Sequence, residues 1–266
     1  MSILAHNQNV SAERTDSKPF SLYKIGGAAA LLAVLVALID ILLTFVPAGA
    51  EQPGTMTAVD WFNLFQENWF FGLRNLGLLP NIMTLVLLIP LFLALYAAHR
   101  HIDEFSAALA MILSVVGTAI YLSNNAAFPM LALSARYASA ATDAQRALVA
   151  AAGEAILARG EDFTPGAFMG FLFGEIAIMA ISLVMLRGGI FSKASGYAGI
   201  LGGLSLTIFT IWSTFIPVWF EVAMLLAMFG GILSIVWYIL TARRLFQLGN
   251  AFEAQNFSLK TGESNA

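Results

Sequence analysis

Six stretches of about twenty mostly apolar residues, each closed off by polar segments, restrict this chain to very few folds. In water such stretches would have nowhere to bury their surface. In a bilayer, a helix of that length satisfies its backbone hydrogen bonds internally while crossing a hydrocarbon core of roughly 30 Å. The composition agrees: 59% of the 266 residues are hydrophobic and 11% charged, against roughly a quarter charged in a soluble domain. The predicted fold class is all-α, a polytopic membrane bundle of six transmembrane helices with two extracytoplasmic amphipathic helices.

Three regions follow. Residues 1–24 are a polar cytoplasmic segment to which the sequence assigns no structure, 25–245 a six-helix transmembrane domain, and 246–266 a polar cytoplasmic tail. The spans are expected at 25–46, 76–98, from about 105 to 123–125, at 165–186, at about 196–216 and at 221–242. Ala48-Gly49-Ala50 imitates a signal-peptidase site, but the 22-residue run before it exceeds a secretory core of about 7–15 residues. It reads as an uncleaved anchor. Pro80 and Pro90 each remove a backbone donor from the second span and should kink it.

Between the first two spans, Asp60, Asn63 and Glu67 fall on one helical face and Trp61, Phe62, Phe65 and Trp69 on the other, the pattern of a helix lying on the membrane. Thr57 and Asp60 have the spacing of a capping box. A second amphipathic helix is expected after the third span, opened by Thr142 and Gln145, closed by Gly160, and carrying Leu148, Ala152 and Ile156 as its apolar stripe. Thr164 and Pro165 mark the cap and first residue of the fourth span, and Gly188-Gly189 its end.

Basic residues set the expected orientation. Nine of them (Arg14, Lys18, Lys24, Arg100, Arg187, Lys193, Arg243, Arg244 and Lys260) fall on one side, and four (Arg74, Arg136, Arg146 and Arg159) on the other. Because basic residues concentrate in cytoplasmic loops, both termini are expected in the cytoplasm of a bacterial cell, with the chain in its inner membrane. The halves show no convincing internal repeat of the kind found in inverted-repeat transporters.

Phrases along the chain are familiar: Trp61-Phe-Asn-Leu-Phe-Gln-Glu-Asn68, Ser123-Asn-Asn-Ala-Ala-Phe128, Leu131-Ala-Leu-Ser-Ala-Arg-Tyr137, Thr142-Asp-Ala-Gln-Arg146 and Arg187-Gly-Gly-Ile-Phe-Ser-Lys193. Together they resemble a bacterial multi-pass membrane family catalogued as a domain of unknown function, DUF4386, over about residues 25–249. The resemblance implies a six-pass fold and carries no substrate, cofactor or catalytic residue with it.

An ionisable side chain inside hydrocarbon costs about 2.5–3.5 kcal/mol on insertion scales, so it asks for a partner or a task. Asp40 lies roughly 9 Å below the outer end of its span and Glu175 roughly 15 Å below its own, at 1.5 Å per residue. Glu221 sits at an outer mouth, and Asn81, Asn124, Asn125 and Arg74 fall at the same outer levels. These seven residues are the candidate lining of an outward-facing polar pocket, with Arg74 the counter-ion of Asp40 or Glu221. The competing reading is a hydrogen-bond network that holds helices together. Gly166, Gly170 and Gly174, and likewise Gly199 and Gly203, recur every four residues and are read as helix-packing positions. A flexing gate or a homo-oligomer face is their alternative. Met224 and Met228 read as filler.

His99, His101, Asp103 and Glu104 cluster after the second span. Two histidines without a third are a weak metal signal, and the cluster reads as a solvated loop, so no metal is expected. Several chemistries lack their parts: no span carries a histidine for haem or a mid-depth lysine for a Schiff base, and neither H-E-x-x-H nor a Walker A loop is present. A basic stripe for nucleic acid is also missing, and the absence of cysteine excludes thiolate sites. The expectation is a non-enzyme without cofactor, whose partner is the lipid bilayer. It is read as a passive or ion-coupled carrier of a small molecule or ion, or an accessory subunit of one. The alternative is a non-catalytic scaffold or stress-linked interaction protein.

Overall fold

The computed structural model describes residues 18–45 and 56–261. In chain order the helices are α1 (Lys18–Thr44), α2 (Ala58–Glu67), α3 (Trp69–Asn75), a π-helical turn (Leu78–Met83) running into α4 (Thr84–His99), α5 (Glu104–Asn124), α6 (Ala127–Ser139), α7 (Asp143–Gly160), α8 (Pro165–Gly188), α9 (Lys193–Phe215), a 3-10 turn (Pro217–Trp219) and α10 (Phe220–Thr261). There is no strand among the described residues. Six segments are long and apolar enough to span a membrane, and the fold is an all-α polytopic bundle. The imitation cleavage site at 48–50 and most of the N-terminal segment lie outside the described residues.

The six spanning helices close into a ring in which α1 packs on α4, α4 on α5, α5 on α8, α8 on α9, α9 on α10 and α10 back on α1. Leu91, Leu95, Ile181, Met185 and Trp237 fill its centre. Leu31, Leu35, Leu38 and Leu42 of α1 stay exposed on the outer surface, as residues facing lipid would. Both ends extend beyond the spans. α1 is already helical at Lys18, and α10 continues unbroken through the segment expected to be a tail. Leu245 is buried and Phe246 packs on the core. Lys24 Nζ meets Glu253 Oε2 at 3.2 Å, so the apolar face of α10 outlasts its membrane-spanning part.

The second span begins with a distortion. Gly77 adopts a left-handed φ of 88°, and any Cβ there would run into the Tyr121 hydroxyl. Pro80 brings no amide hydrogen. The amides of Asn81 and Ile82 both reach the Gly77 carbonyl, at 3.2 and 2.8 Å, and the second of these bonds widens the turn to π geometry. Pro90, by contrast, sits inside α4 and the helix runs on past it.

On the face opposite the start of α1, helices α2, α3, α6 and α7 build a second apolar core. Thr57 and Asp60 form the capping box of α2, with Thr57 N donating to Asp60 Oδ2 at 2.9 Å. These bonds from Thr57 hold the Asp60 carboxyl below the ordinary carboxylate value. Trp61, Phe62 and Phe65 are buried against protein, so α2 turns its aromatic face toward α6 and α7 instead of resting it on the membrane. Trp69 belongs to the next helix and is exposed. The expected stripe of α7 is also displaced: Leu148 is 73% exposed, while Gly153, Leu157 and Gly160 are buried. The close approach decides the face, because Gly153 leaves just enough room for Ala58 and Phe62 of α2. Glu154 Oε1 then accepts from Ala58 N at 2.7 Å. Helix α6 was not foreseen. It buries Met130 and sends Ser134 Oγ to the Phe62 carbonyl.

Candidate functional site

The candidate pocket residues fall into separate groups. The first is an ion pair. Arg74, in the last turn of α3, donates from Nε to Asp40 Oδ1 at 2.8 Å and from Nη2 to the Asp40 carbonyl at 2.9 Å. It also reaches Thr44 Oγ1 at 2.5 Å and Asn75 Oδ1 at 3.0 Å. The two charged side chains are 13% and 19% exposed, so the pair is largely desolvated. Arg74 thereby pins the end of α1 to the cap helices.

The second group gathers on Asp162, a residue outside the predicted set. Asp162 sits in the turn between α7 and α8 and accepts from Tyr121 Oη and from Asn81 Nδ2, each at 2.7 Å. Asn125 donates to the same Tyr121 oxygen at 3.0 Å and to the Leu76 carbonyl at 2.9 Å. Beside it, Asn124 donates to the Gly166 carbonyl and accepts from Arg159 Nε, both at 2.9 Å. Every functional atom named here is paired, and the arrangement fastens the turn onto the bundle. The next residue, Phe163, has a φ of 66°, uncommon for a bulky side chain. Its ring packs edge-on against Phe209 and Phe220.

Glu175 stands apart. It lies on α8 facing α9, is 8% exposed, and accepts from Thr210 Oγ1 through Oε1 at 2.6 Å. Its Oε2 is buried and makes no hydrogen bond within 3.5 Å among the described residues, although the equally unbonded Thr207 hydroxyl of α9 lies close enough to interact with the carboxyl. Such an oxygen in a low-dielectric interior is costly. Glu221 is exposed in the first turn of α10 and joins none of these groups.

Four of the five packing glycines are at close crossings. A Cβ at Gly166 would strike the backbone of Arg159, one at Gly170 the backbone and Cβ of Tyr121, one at Gly199 the side chains of Ser182 and Trp237, and one at Gly203 Met179. Gly174 is roomier, its added Cβ meeting only Leu85 at 3.9 Å.

The histidine cluster does not form one loop site. His99 is fully buried at the end of α4, with Nδ1 2.8 Å from the Leu95 carbonyl and its ring stacked on Phe191. His101 is exposed beside Arg100. Asp103 caps α5, and the amide of Ser106 holds its carboxyl below the usual range, with Arg187 adding to the effect. Among the described residues no three metal-ligating side chains converge.

Among the described residues, six helices long and apolar enough to cross a membrane, closed into a ring, define a polytopic α-helical membrane protein. Residues 70–241 match the family described as Domain of unknown function (DUF4386), and the chain belongs to that family. The match runs from α3 into α10 and leaves out the 61–68 phrase. No curated protein and no solved structure matches the chain.

Proposed function

We propose that this chain is an ion-coupled carrier of a small solute, or a subunit of one, and that Glu175 is the group that binds and releases the coupling proton. One observation carries this reading. In the middle of a bundle whose other acids, among the described residues, are paired or at the surface, Glu175 keeps one oxygen on Thr210 and leaves the other buried without a bond within 3.5 Å, with the Thr207 hydroxyl nearby. A carboxyl in hydrocarbon needs a partner or a proton, and one with a free oxygen is built to exchange rather than to fasten. Neither transport nor coupling calls for a catalytic residue or a cofactor. The excess of basic residues on the side where α1 begins supports a placement in a bacterial inner membrane with both termini cytoplasmic.

The scaffold reading has support of its own in the Asp162 group, where every named atom is paired and the residues act as cement. The two readings divide at Glu175. In protein reconstituted into vesicles, infrared difference spectra across a pH jump should show a carboxylic-acid carbonyl band that titrates, and Glu175→Gln should remove that band while folding yield is retained. Identical spectra from the parent and Glu175→Gln overturn the carrier reading.

A further inference from the structure

Tight turns have residue rules of their own, and the connection between α7 and α8 breaks one of them. Residues 161–164 form a β-turn closed by the Thr164 amide, which donates to the Glu161 carbonyl at 3.3 Å. Phe163 holds the third position of that turn with a φ of 66°, while Asp162 before it keeps a negative φ. A turn of this shape calls for glycine or asparagine at its third position. A phenylalanine there is strained, and it persists only because its surroundings hold it. Such outliers concentrate at ligand clamps and switch regions.

Two sets of contacts do the holding. Asp162, the neighbour of Phe163, is fastened to α5 by Tyr121 Oη and to the π-helical turn by Asn81 Nδ2, each at 2.7 Å. On the other side the Phe163 ring stands edge-on to Phe209 of α9 and Phe220 of α10, with centroids 5.3 and 5.5 Å away. Those two rings meet each other at 6.2 Å. One residue thus links the cap's hydrogen-bonded group to the junction of α9 and α10.

The ring stands on the cap side of Glu175. Phe209 is buried and directly precedes Thr210, whose hydroxyl donates to Glu175 Oε1. Phe163 comes just before α8, and Glu175 lies about 15 Å along that helix from its first residue, at 1.5 Å per residue. The ring therefore covers the cap-side end of the seam between α8 and α9 in which the carboxyl sits. A second pair, Phe168 of α8 against Phe215 of α9 at 5.0 Å, closes the same seam. Of these five rings, Phe168, Phe209, Phe215 and Phe220 belong to helices, so displacing them means displacing packed backbone. Phe163 alone is on a turn and is only half-buried. It is also the one whose backbone relaxes by moving, through a return to negative φ.

We propose that Phe163 is the gate on the cap side of Glu175, its ring closing the seam in this state and swinging out to open it, with the bonds from Tyr121 and Asn81 to Asp162 as the latch. The strained turn biases the ring toward leaving, and the latch together with Phe209 and Phe220 holds it in place. A carrier must expose its binding group to one face at a time, and a latched ring on this side gives Glu175 that control. The purpose of the gate rests on the reading of Glu175 as a proton carrier. The closure and the latch do not, and they are measured separately.

The chain contains no cysteine, so Thr210→Cys places a single thiol at the position that contacts Glu175. In the full chain, reconstituted into vesicles with the cap outward, a small charged methanethiosulfonate added outside should label that thiol slowly. Adding Phe163→Gly, or separately Phe163→Asn, should raise the labelling rate several-fold. Both residues suit the third position of the turn, so the fold is kept while the ring is lost. Tyr121→Phe, which keeps the ring and loosens the latch, should raise the rate as well. Equal labelling with and without the Phe163 ring, or no labelling in any variant, overturns the gate. A rate that rises with Phe163→Gly but not with Tyr121→Phe overturns the latch and makes the ring a fixed plug. A Glu175 infrared band that never titrates in the parent overturns the carrier reading, and the thiol rates still decide the gate.

Discussion

The Tyr121 hydroxyl donates to Asp162 Oδ1 at 2.7 Å, joining residues 41 positions apart. Because Asn81 takes the other carboxylate oxygen, three segments (the π-helical turn, α5 and the turn before α8) meet at one carboxylate. Hydrogen bonds to a charged group contribute about 1.5–3 kcal/mol. Tyr121→Phe should therefore destabilise the folded protein by about that amount, and Asp162→Ala by at least as much. The double variant should cost clearly less than the two singles combined, since both remove the same bond. Reversible unfolding in mixed micelles measures this cycle, and strict additivity would show that the bond contributes little.

The spans were legible because lipid imposes one rule, length plus apolarity, that needs no knowledge of neighbours. Asp40 and Glu175 stood out as acids inside such runs. Asp162 did not. It follows Glu161 in a polar connection, and nothing local says that this connection folds down onto Tyr121. The faces of α2 and α7 were misjudged for a related reason: an amphipathic helix shows that one face is covered, but not whether lipid or protein covers it. Tyr121 alone carried a hint, lying one turn before Asn125 on the same side of α5.

Arg74 and Asp40 are more desolvated than a surface pair, and Arg74 serves four acceptors at once. A surface pair is worth up to about 1 kcal/mol and breaking a buried one costs about 3–5. Arg74→Ala is expected between those limits, at about 2 kcal/mol. Arg74→Lys should recover only part of the loss, because an ammonium cannot span the Asp40 carboxylate, its carbonyl and Thr44 together. Full recovery with lysine would mean that charge alone matters, and thermal unfolding in nanodiscs reads the difference.

Glycines that look equivalent in sequence separate in space. An alanine methyl at Gly170 would come within 2.8 Å of Tyr121 Cβ and 3.1 Å of its backbone, which cannot swing aside. Overpacking of this kind costs about 1–3 kcal/mol. At Gly174 the nearest atom would be 3.9 Å away, so alanine should be neutral there or stabilising by up to about 1 kcal/mol through its better helix propensity. Equal behaviour of Gly170→Ala and Gly174→Ala in melting experiments would mean that α5 and α8 do not cross at Tyr121.

The capping box of α2 gives the cap a pH dependence with a definite sign. Asp60, bonded to the Thr57 hydroxyl and amide, has its folded value depressed below the ordinary 3.8. A carboxyl depressed in the folded state stabilises above its unfolded value and loses that contribution as pH falls through the folded one. The parent should therefore melt higher than Asp60→Asn at neutral pH, and the gap should hold down to the ordinary carboxylate value and close below it. A gap that survives at strongly acid pH would place the stabilisation in the side chain's shape, since the charge would by then have been neutralised.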